Sequence, residues 1–305
     1  MRLPLVWGGV LLAVALAGMA EARPGERWRA RSGDQQAGPA PPLALGKQTL
    51  SYGTDPLQAL DFWPAQGATR AAPLVVFVHG GGWQHGSKEN AGGARKAPHY
   101  TSLGYAYAAI NYRLVPDANV EDEAADIAAS LRYLIDHATR LGIDPQRIVL
   151  MGHSAAAHLV ALVGTDERYL RAAGLSFANL KGVIPIDGAA YDVPYQIKDG
   201  GNIMRDSYKA AFGTDLARQQ ALSPTFQTAR PNASQFLLIH VQRPDGIAQN
   251  EALEAALRKN EAQVARQSFP GEGLIGHMTI NRSLGDPAYV ATPVVDAWLK
   301  LRFGQ

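Results

Sequence analysis

Cysteine is absent from this sequence. That excludes disulfides, thiolate metal sites, iron–sulfur clusters, a cysteine nucleophile and a lipid-anchored N-terminal cysteine. An excess of either charge is absent too. Lys+Arg is 29 against 27 for Asp+Glu, a formal net charge of +2, which gives no electrostatic case for nucleic acid. No G-x-x-x-x-G-K-[ST] phosphate loop occurs. No internal repeat is evident. His153 and His158 straddle a turn, five residues apart, unlike the i,i+4 histidines of a zinc helix, so neither a metal nor a cofactor is expected. What is present is an ordinary globular composition, 47% apolar and 18% charged, over 305 residues. Disorder and collagen-like structure are excluded, and the length suits one large α/β domain.

One long apolar run opens the chain. Residues 3–20 carry no charge, Arg2 precedes them, and Ala20-Glu21-Ala22 fits a small-x-small cleavage site. Residues 1–22 read as a secretory signal peptide. Residues 23–45, rich in Pro, Gly, Arg and Gln, read as a flexible leader. The expectation is a periplasmic or secreted protein with no stable membrane association after cleavage. Arg23, Arg27, Arg29 and Arg31 oppose the usual export orientation, and an uncleaved anchor is the alternative.

Further along, short apolar runs alternate with helical stripes. Lys47–Trp63 suggests an edge hairpin around Thr54-Asp55-Pro56. Strands are expected at Leu74–Val78, Tyr105–Ile110, Ile148–Met151, Val183–Ile186, Phe236–Val241 and Ala265–Phe269. Helices are expected at Glu121–Leu141, Ser154–Val163, Gln249–Lys259 and Val290–Leu301. This alternation predicts an α/β domain over 46–305, a mostly parallel sheet covered on both faces. Ligands then bind beyond the carboxyl ends of the strands.

The chemistry-bearing residues fall at those ends. After Ile148–Met151 comes Gly152-His153-Ser154-Ala155-Ala156, a strand–turn–helix with Ser154 at its tip. The pattern is G-x-S-x-G with Ala156 in the last place. Such a turn exposes a serine Oγ above the sheet and aims the next helix N-terminus at it. Ser154 as a simple helix cap is the bland alternative. After Leu74–Val78 comes His79-Gly80-Gly81-Gly82-Trp83. Fixed backbone N–H groups can hold a developing oxyanion without reorganisation. Gly81, Gly82 and Ala155 are the candidate donors. Trp83, His153 and Tyr191 are candidate pocket residues.

A serine nucleophile needs a base. Of the eight histidines only His158, His240 and His277 follow Ser154, as the chain order Ser, acid, His requires. His158 is four residues on in the same helix, and His240 lies inside an apolar strand. His277, in the glycine-rich Gly271–Gly276 loop, is the candidate base. The base needs an acid to hold its tautomer. Asp245, after Phe236–Val241, is the first candidate, Asp187 after Val183–Ile186 the second and Asp192 the third.

With His79–Trp83, Asn111-Tyr112-Arg113-Leu114, Gly152–His158, Asp245 and His277 in this order, the chain resembles the α/β-hydrolase superfamily. It looks closest to the small esterase branch of hormone-sensitive-lipase-like carboxylesterases and kynurenine-formamidase-like proteins. The resemblance covers roughly residues 45–303. It implies about eight strands, mostly parallel, and cofactor-free ester or amide hydrolysis. Ala156 and one extra residue before Asp245 depart from the family pattern. A small cap over Ser154 is expected around 189–235, lined by Tyr191, Tyr195, Ile197, Met204, Tyr208 and Phe212. The expected substrate is a small carboxylic ester, with a formamide or amide as the alternative. A non-catalytic binding protein on the same fold is the rival class.

Overall fold

The structure, a computed structural model, describes residues 46–90, 94–200, 204–229 and 231–305. The expected signal peptide and leader lie outside them. The strands are β1 (Gln48–Ser51), β2 (Ala59–Trp63), β3 (Ala72–Val78), β4 (Ala106–Ile110), β5 (Ile143–His153), β6 (Gly182–Ile186), β7 (Gln235–Val241) and β8 (Gln263–Phe269). They form one eight-stranded sheet in the order β1-β2-β4-β3-β5-β6-β7-β8. β2 runs antiparallel to both neighbours, and every pairing from β4 through β8 is parallel. Parallel strands need crossovers, and helices supply them.

Side chains on a strand alternate between faces, so each central strand must feed two cores. In β3, Leu74, Val76 and Val78 join one core with Leu150 and the helices Val120–Asp136 and Ala155–Thr165. Val75 and Phe77 join the other with Val149, Met151, Tyr100, Val295 and Leu299. All seven residues of β3 are buried, which is why Leu74–Val78 reads as continuous rather than alternating. Helix Ala155–Thr165 is buried all round. It packs against β5, β6 and helix Val120–Asp136.

The hairpin, the six further strands and the central helices lie where the sequence places them, with shifted ends. The expected helix Glu121–Leu141 begins at Val120, behind an Asn119–Asp122 capping box, and breaks at His137 into Val120–Asp136 and Ala138–Leu141. The expected Gln249–Lys259 helix starts earlier, at Pro244. Helices Lys96–Ser102 and Glu167–Ala172 were not expected from the sequence. Between β6 and β7 lie the short helices Val193–Asp199, Arg205–Phe212 and Leu216–Ala221.

Register brings three strand ends together. Val78 pairs with Gly152, and His153 pairs with Ile186. The chain beyond β3, β5 and β6 therefore leaves the sheet side by side: His79–Gly82, Ser154 and Asp187.

Candidate active site

Ser154 sits between β5 and helix Ala155–Thr165 at φ 61° and ψ −121°. A non-glycine residue holds that conformation only when its surroundings force it. Here the Ser154 N–H donates to the Ile186 carbonyl at 3.0 Å, anchoring the turn to the end of β6. The tightness of the turn rests on Gly152, where a Cβ would fall 2.4 Å from the Ala156 carbonyl. The close approach in the motif is thus made at Gly152, and Ala156, in the place of the usual glycine, is fully buried in the core. Gly80 passes against the serine just as closely. A Cβ there would lie 2.5 Å from the His153 carbonyl and 2.9 Å from Ser154 Cβ.

His277 Nε2 lies 2.9 Å from Ser154 Oγ, and its Nδ1 lies 2.5 Å from Asp187 Oδ2. His277 is not on a loop as expected. It occupies the second turn of helix Gly273–Ser283 and is only 7% exposed. Its backbone carbonyl accepts a 3.0 Å hydrogen bond from His153 Nε2, whose ring lies 4.4 Å from the His277 ring. Burial, together with the neighbouring His277, drives His153 well below the ordinary histidine range. His153 is thus a neutral donor beneath His277 rather than an open pocket wall.

The acid against His277 is Asp187, the second candidate, and not Asp245. Asp187 is fully buried at the end of β6, at φ 46°. Its Oδ1 accepts the Val241 N–H at 3.0 Å, and its Oδ2 accepts Arg243 Nε at 3.1 Å as well as His277 Nδ1. Burial by itself would raise its pKa. The hydrogen bond from His277, the Arg243 and His277 charges and the Val241 N–H outweigh burial and hold the carboxyl well below the ordinary range. Asp245 is drawn away because Pro244 and Asp245 open a helix. Its Oδ2 takes Gln196 Nε2 at 3.3 Å and lies 3.5 Å from Arg243 Nη1, with the side chain 28% exposed. The third candidate, Asp192, caps helix Val193–Asp199 through the Tyr195 N–H.

The other sequence candidates divide. Trp83 is buried; its Nε1–H donates to His158 Nδ1 at 3.4 Å, and its ring meets Phe212 edge-on at 4.8 Å. His158 Nε2 donates to the Leu222 carbonyl at 2.8 Å, and burial brings its pKa down to about 4. His158 is therefore a neutral link between Trp83 and the 189–235 insertion. His79 stacks on Tyr112 at 4.5 Å and bonds the Gly80 carbonyl, and burial brings it down to about 4. It braces the glycine loop. Tyr191 is fully buried, with its hydroxyl against Gly188, and packs in the core rather than on a pocket surface. Arg243 is the residue that sequence reasoning missed. Its only signal was a basic residue beside the expected acid.

This architecture, with a Ser–His–Asp hydrogen-bonded chain at the carboxyl ends of a parallel sheet, is the α/β-hydrolase fold. The BD-FAE family model matches residues 60–188, from β2 through the elbow to Asp187. Esterase LipC of Mycobacterium tuberculosis is 27% identical over 248 residues, 74% of this chain and 59% of that protein. The probable isoprenylcysteine alpha-carbonyl methylesterase ICMEL1 of Arabidopsis thaliana is 33% identical over 121 residues, 40% of this chain and 25% of that protein. The chain thus spans less than two thirds of the length of these curated relatives. Among solved structures, Esterase B from Lactobacillus Rhamnosis superposes with a TM-score of 0.72 at 23% identity, covering 92% of this chain and 90% of that one.

Proposed function

We propose that the protein is a serine carboxylester hydrolase working through an acyl-enzyme on Ser154. The observation that carries this reading is the continuous chain Ser154 Oγ–His277–Asp187, with links of 2.9 and 2.5 Å. Ser154 Oγ bonds to the ester carbonyl carbon as its proton passes to His277 Nε2. The carbonyl electron pair moves onto oxygen, where the N–H groups of Gly81, Gly82 and Ala155 hold it. Collapse breaks the ester C–O bond, and the departing alkoxide takes the proton from His277. Water repeats the sequence on the acyl-enzyme and frees the acid. Asp187 keeps the His277 Nδ1 proton in place and stabilises the imidazolium. The names of the relatives, which include esterases and a methylesterase, support an ester as substrate.

The proposed substrates are small, uncharged esters. The insertion between β6 and β7 turns Tyr208 and Phe212 inward against Trp83, so these two rings are spent on packing, while Tyr195 and Phe226 face outward. Export to the periplasm or medium belongs to the same proposal and rests on residues 1–22 alone. The test is release of p-nitrophenol from p-nitrophenyl acetate. Wild-type protein should turn over, and Ser154→Ala should lose on the order of 10⁴–10⁶ in kcat while keeping its circular dichroism. A folded Ser154→Ala retaining a tenth of the activity refutes the nucleophile.

A further inference from the structure

Arg243 stands between two carboxylates at the ends of successive strands. Its Nε donates to Asp187 Oδ2 at 3.1 Å and its Nη2 to the Asp187 carbonyl at 3.3 Å, while its Nη1 lies 3.5 Å from Asp245 Oδ2. All three guanidinium nitrogens are engaged. Asp187 Oδ2 is the same oxygen that meets His277. On the far side, Gln196 Nε2 donates both to Asp245 Oδ2 and to the Tyr208 hydroxyl, at 3.3 and 3.1 Å. The Tyr208 ring lies 5.7 Å from that of Trp83, next to the glycine loop. A polar path thus runs from the acid through Arg243 and Asp245 into the 189–235 insertion.

We propose that Arg243 is a positioning residue that fixes Asp187 on His277, ties that acid to the insertion through Asp245, and sets the pH below which hydrolysis is lost. The inference rests on the Ser154–His277–Asp187 reading and deepens it. Titratable groups face this cluster from several elements: His153 from β5, Tyr191 after β6, Tyr208 from helix Arg205–Phe212, and Tyr289 before the last helix. Burial raises all three tyrosines and lowers His153, so these groups stay neutral near pH 7. Lys96, lowered by burial to about 7, acts on His153 from helix Lys96–Ser102, where it is bonded to Asn281 of the His277 helix. The charges in direct contact are then Asp187, Arg243, Asp245 and His277 once it takes a proton.

The sign follows from these charges. The Arg243 cation disfavours a second cation on His277, and the Asp245 anion favours it. The experiment is kcat/KM against pH with p-nitrophenyl acetate, read at a pH-independent wavelength. Arg243→Gln should move the acidic limb up by about one pH unit. Asp245→Asn should move it down by less, because its charge is farther from His277. Arg243→Lys keeps the charge and should leave the limb in place. Its kcat should fall about tenfold, since an ammonium cannot replace a three-point planar fork.

Opposite shifts are the signature that a merely structural role would not give. Limbs at the wild-type position in both charge-removing variants, with only a uniform loss of kcat, overturn the inference. If Arg243→Gln does not fold, Asp245→Asn, at a partly exposed side chain, carries the sign test: a downward limb supports the inference, and an unmoved or upward one overturns it. Ser154→Ala, run alongside, separates the two levels. Activity surviving in it overturns the site reading and this inference with it. An inactive Ser154→Ala with unmoved limbs overturns this inference alone.

Discussion

Replacing Asp187 by asparagine should cripple the proposed hydrolysis through the count of donors it faces. Three N–H groups converge on this carboxylate: Val241 N and Arg243 Nε at 3.0 and 3.1 Å, and His277 Nδ1 at 2.5 Å. A carboxylate supplies two acceptor oxygens and satisfies all three. An asparagine supplies one oxygen and two N–H donors. If that oxygen stays with Val241, the amide nitrogen faces both Arg243 and His277. It then clashes with the Arg243 donor and gives its own proton to His277 Nδ1. That bond stabilises the tautomer protonated on Nε2, which cannot accept the Ser154 proton. The opposite amide orientation restores the tautomer but leaves a neutral dipole where the imidazolium needs a charge. The measured precedent in a Ser-His-Asp protease is a loss of about 10⁴ in kcat, or about 5 kcal/mol of barrier. Asp245→Asn should stay within about threefold of wild type at pH 8, because surface polar contacts contribute about 0–1 kcal/mol. The assay is kcat for p-nitrophenyl acetate at pH 8, with folding checked by circular dichroism. If Asp187→Asn stays within tenfold of wild type and Asp245→Asn is the crippled variant, the assignment of the acid is wrong.

Stability should fall with acid. His79 and His158, held by burial to about 4 against an ordinary 6.5, bind fewer protons folded than unfolded between those values. Each therefore removes up to about 3 kcal/mol as pH drops through that window, and a urea midpoint equal at pH 7.5 and 4.5 would refute it. Lys96, brought by burial from 10.5 to about 7, is protonated in the unfolded chain across that range but not in the folded one. Stability should therefore rise between pH 7 and 10 relative to Lys96→Met, and parallel curves for the two proteins would show that Lys96 stays charged. The turnover of p-nitrophenyl esters should fall from C4 towards C10, since each added CH₂ contributes its ~0.8 kcal/mol only where a pocket can bury it. A kcat/KM series rising steadily to C12 would reveal a long acyl channel instead.

The serine elbow, the glycine loop and His277 were legible in the sequence because strand ends are marked by where apolar runs stop. The acid was legible only as the second candidate, and two turn signals account for it. Pro244-Asp245-Gly246 carries a turn signal, and read that way it leaves Asp245 at a strand end, free to reach the histidine. Pro is equally suited to the first turn of a helix, and Asp there complements the positive end of the helix. The structure takes the second option, with helix Pro244–Lys259 starting five residues before the expected start at Gln249. Asp187-Gly188 also reads as a turn, which hides the carboxylate that meets His277. The three glycines of Gly271–Gly276 suggest a loop, yet helix Gly273–Ser283 begins among them. Helix Lys96–Ser102 was missed because Lys96 and Pro98 look like surface and breaker. Lys96 is in fact fully buried, donating to the Asn281 carbonyl and Oδ1.

The register of the sheet explains why an acid after β6 can reach His277. Neighbouring parallel strands lie about 4.8 Å apart, and a histidine arriving from beyond β8 can lean toward either end. β6 adjoins β5, so Asp187 emerges beside Ser154, and its own N–H donates to the Ile239 carbonyl of β7 at 2.7 Å. That bond turns the Asp187 side chain toward the end of β7, where Arg243 meets it. The same arginine occupies the approach that Asp245 would need to reach His277. Two carboxylates at adjacent strand ends would otherwise compete for one imidazole and repel each other across it. A cation between them satisfies both, and leaves only the fully buried one aligned with Ser154. Here the acid one strand earlier is accompanied by a positive charge at the start of the helix after β7, and a search for this arrangement in other sequences should look for Asp-Gly after the sixth strand together with Arg-Pro after the seventh.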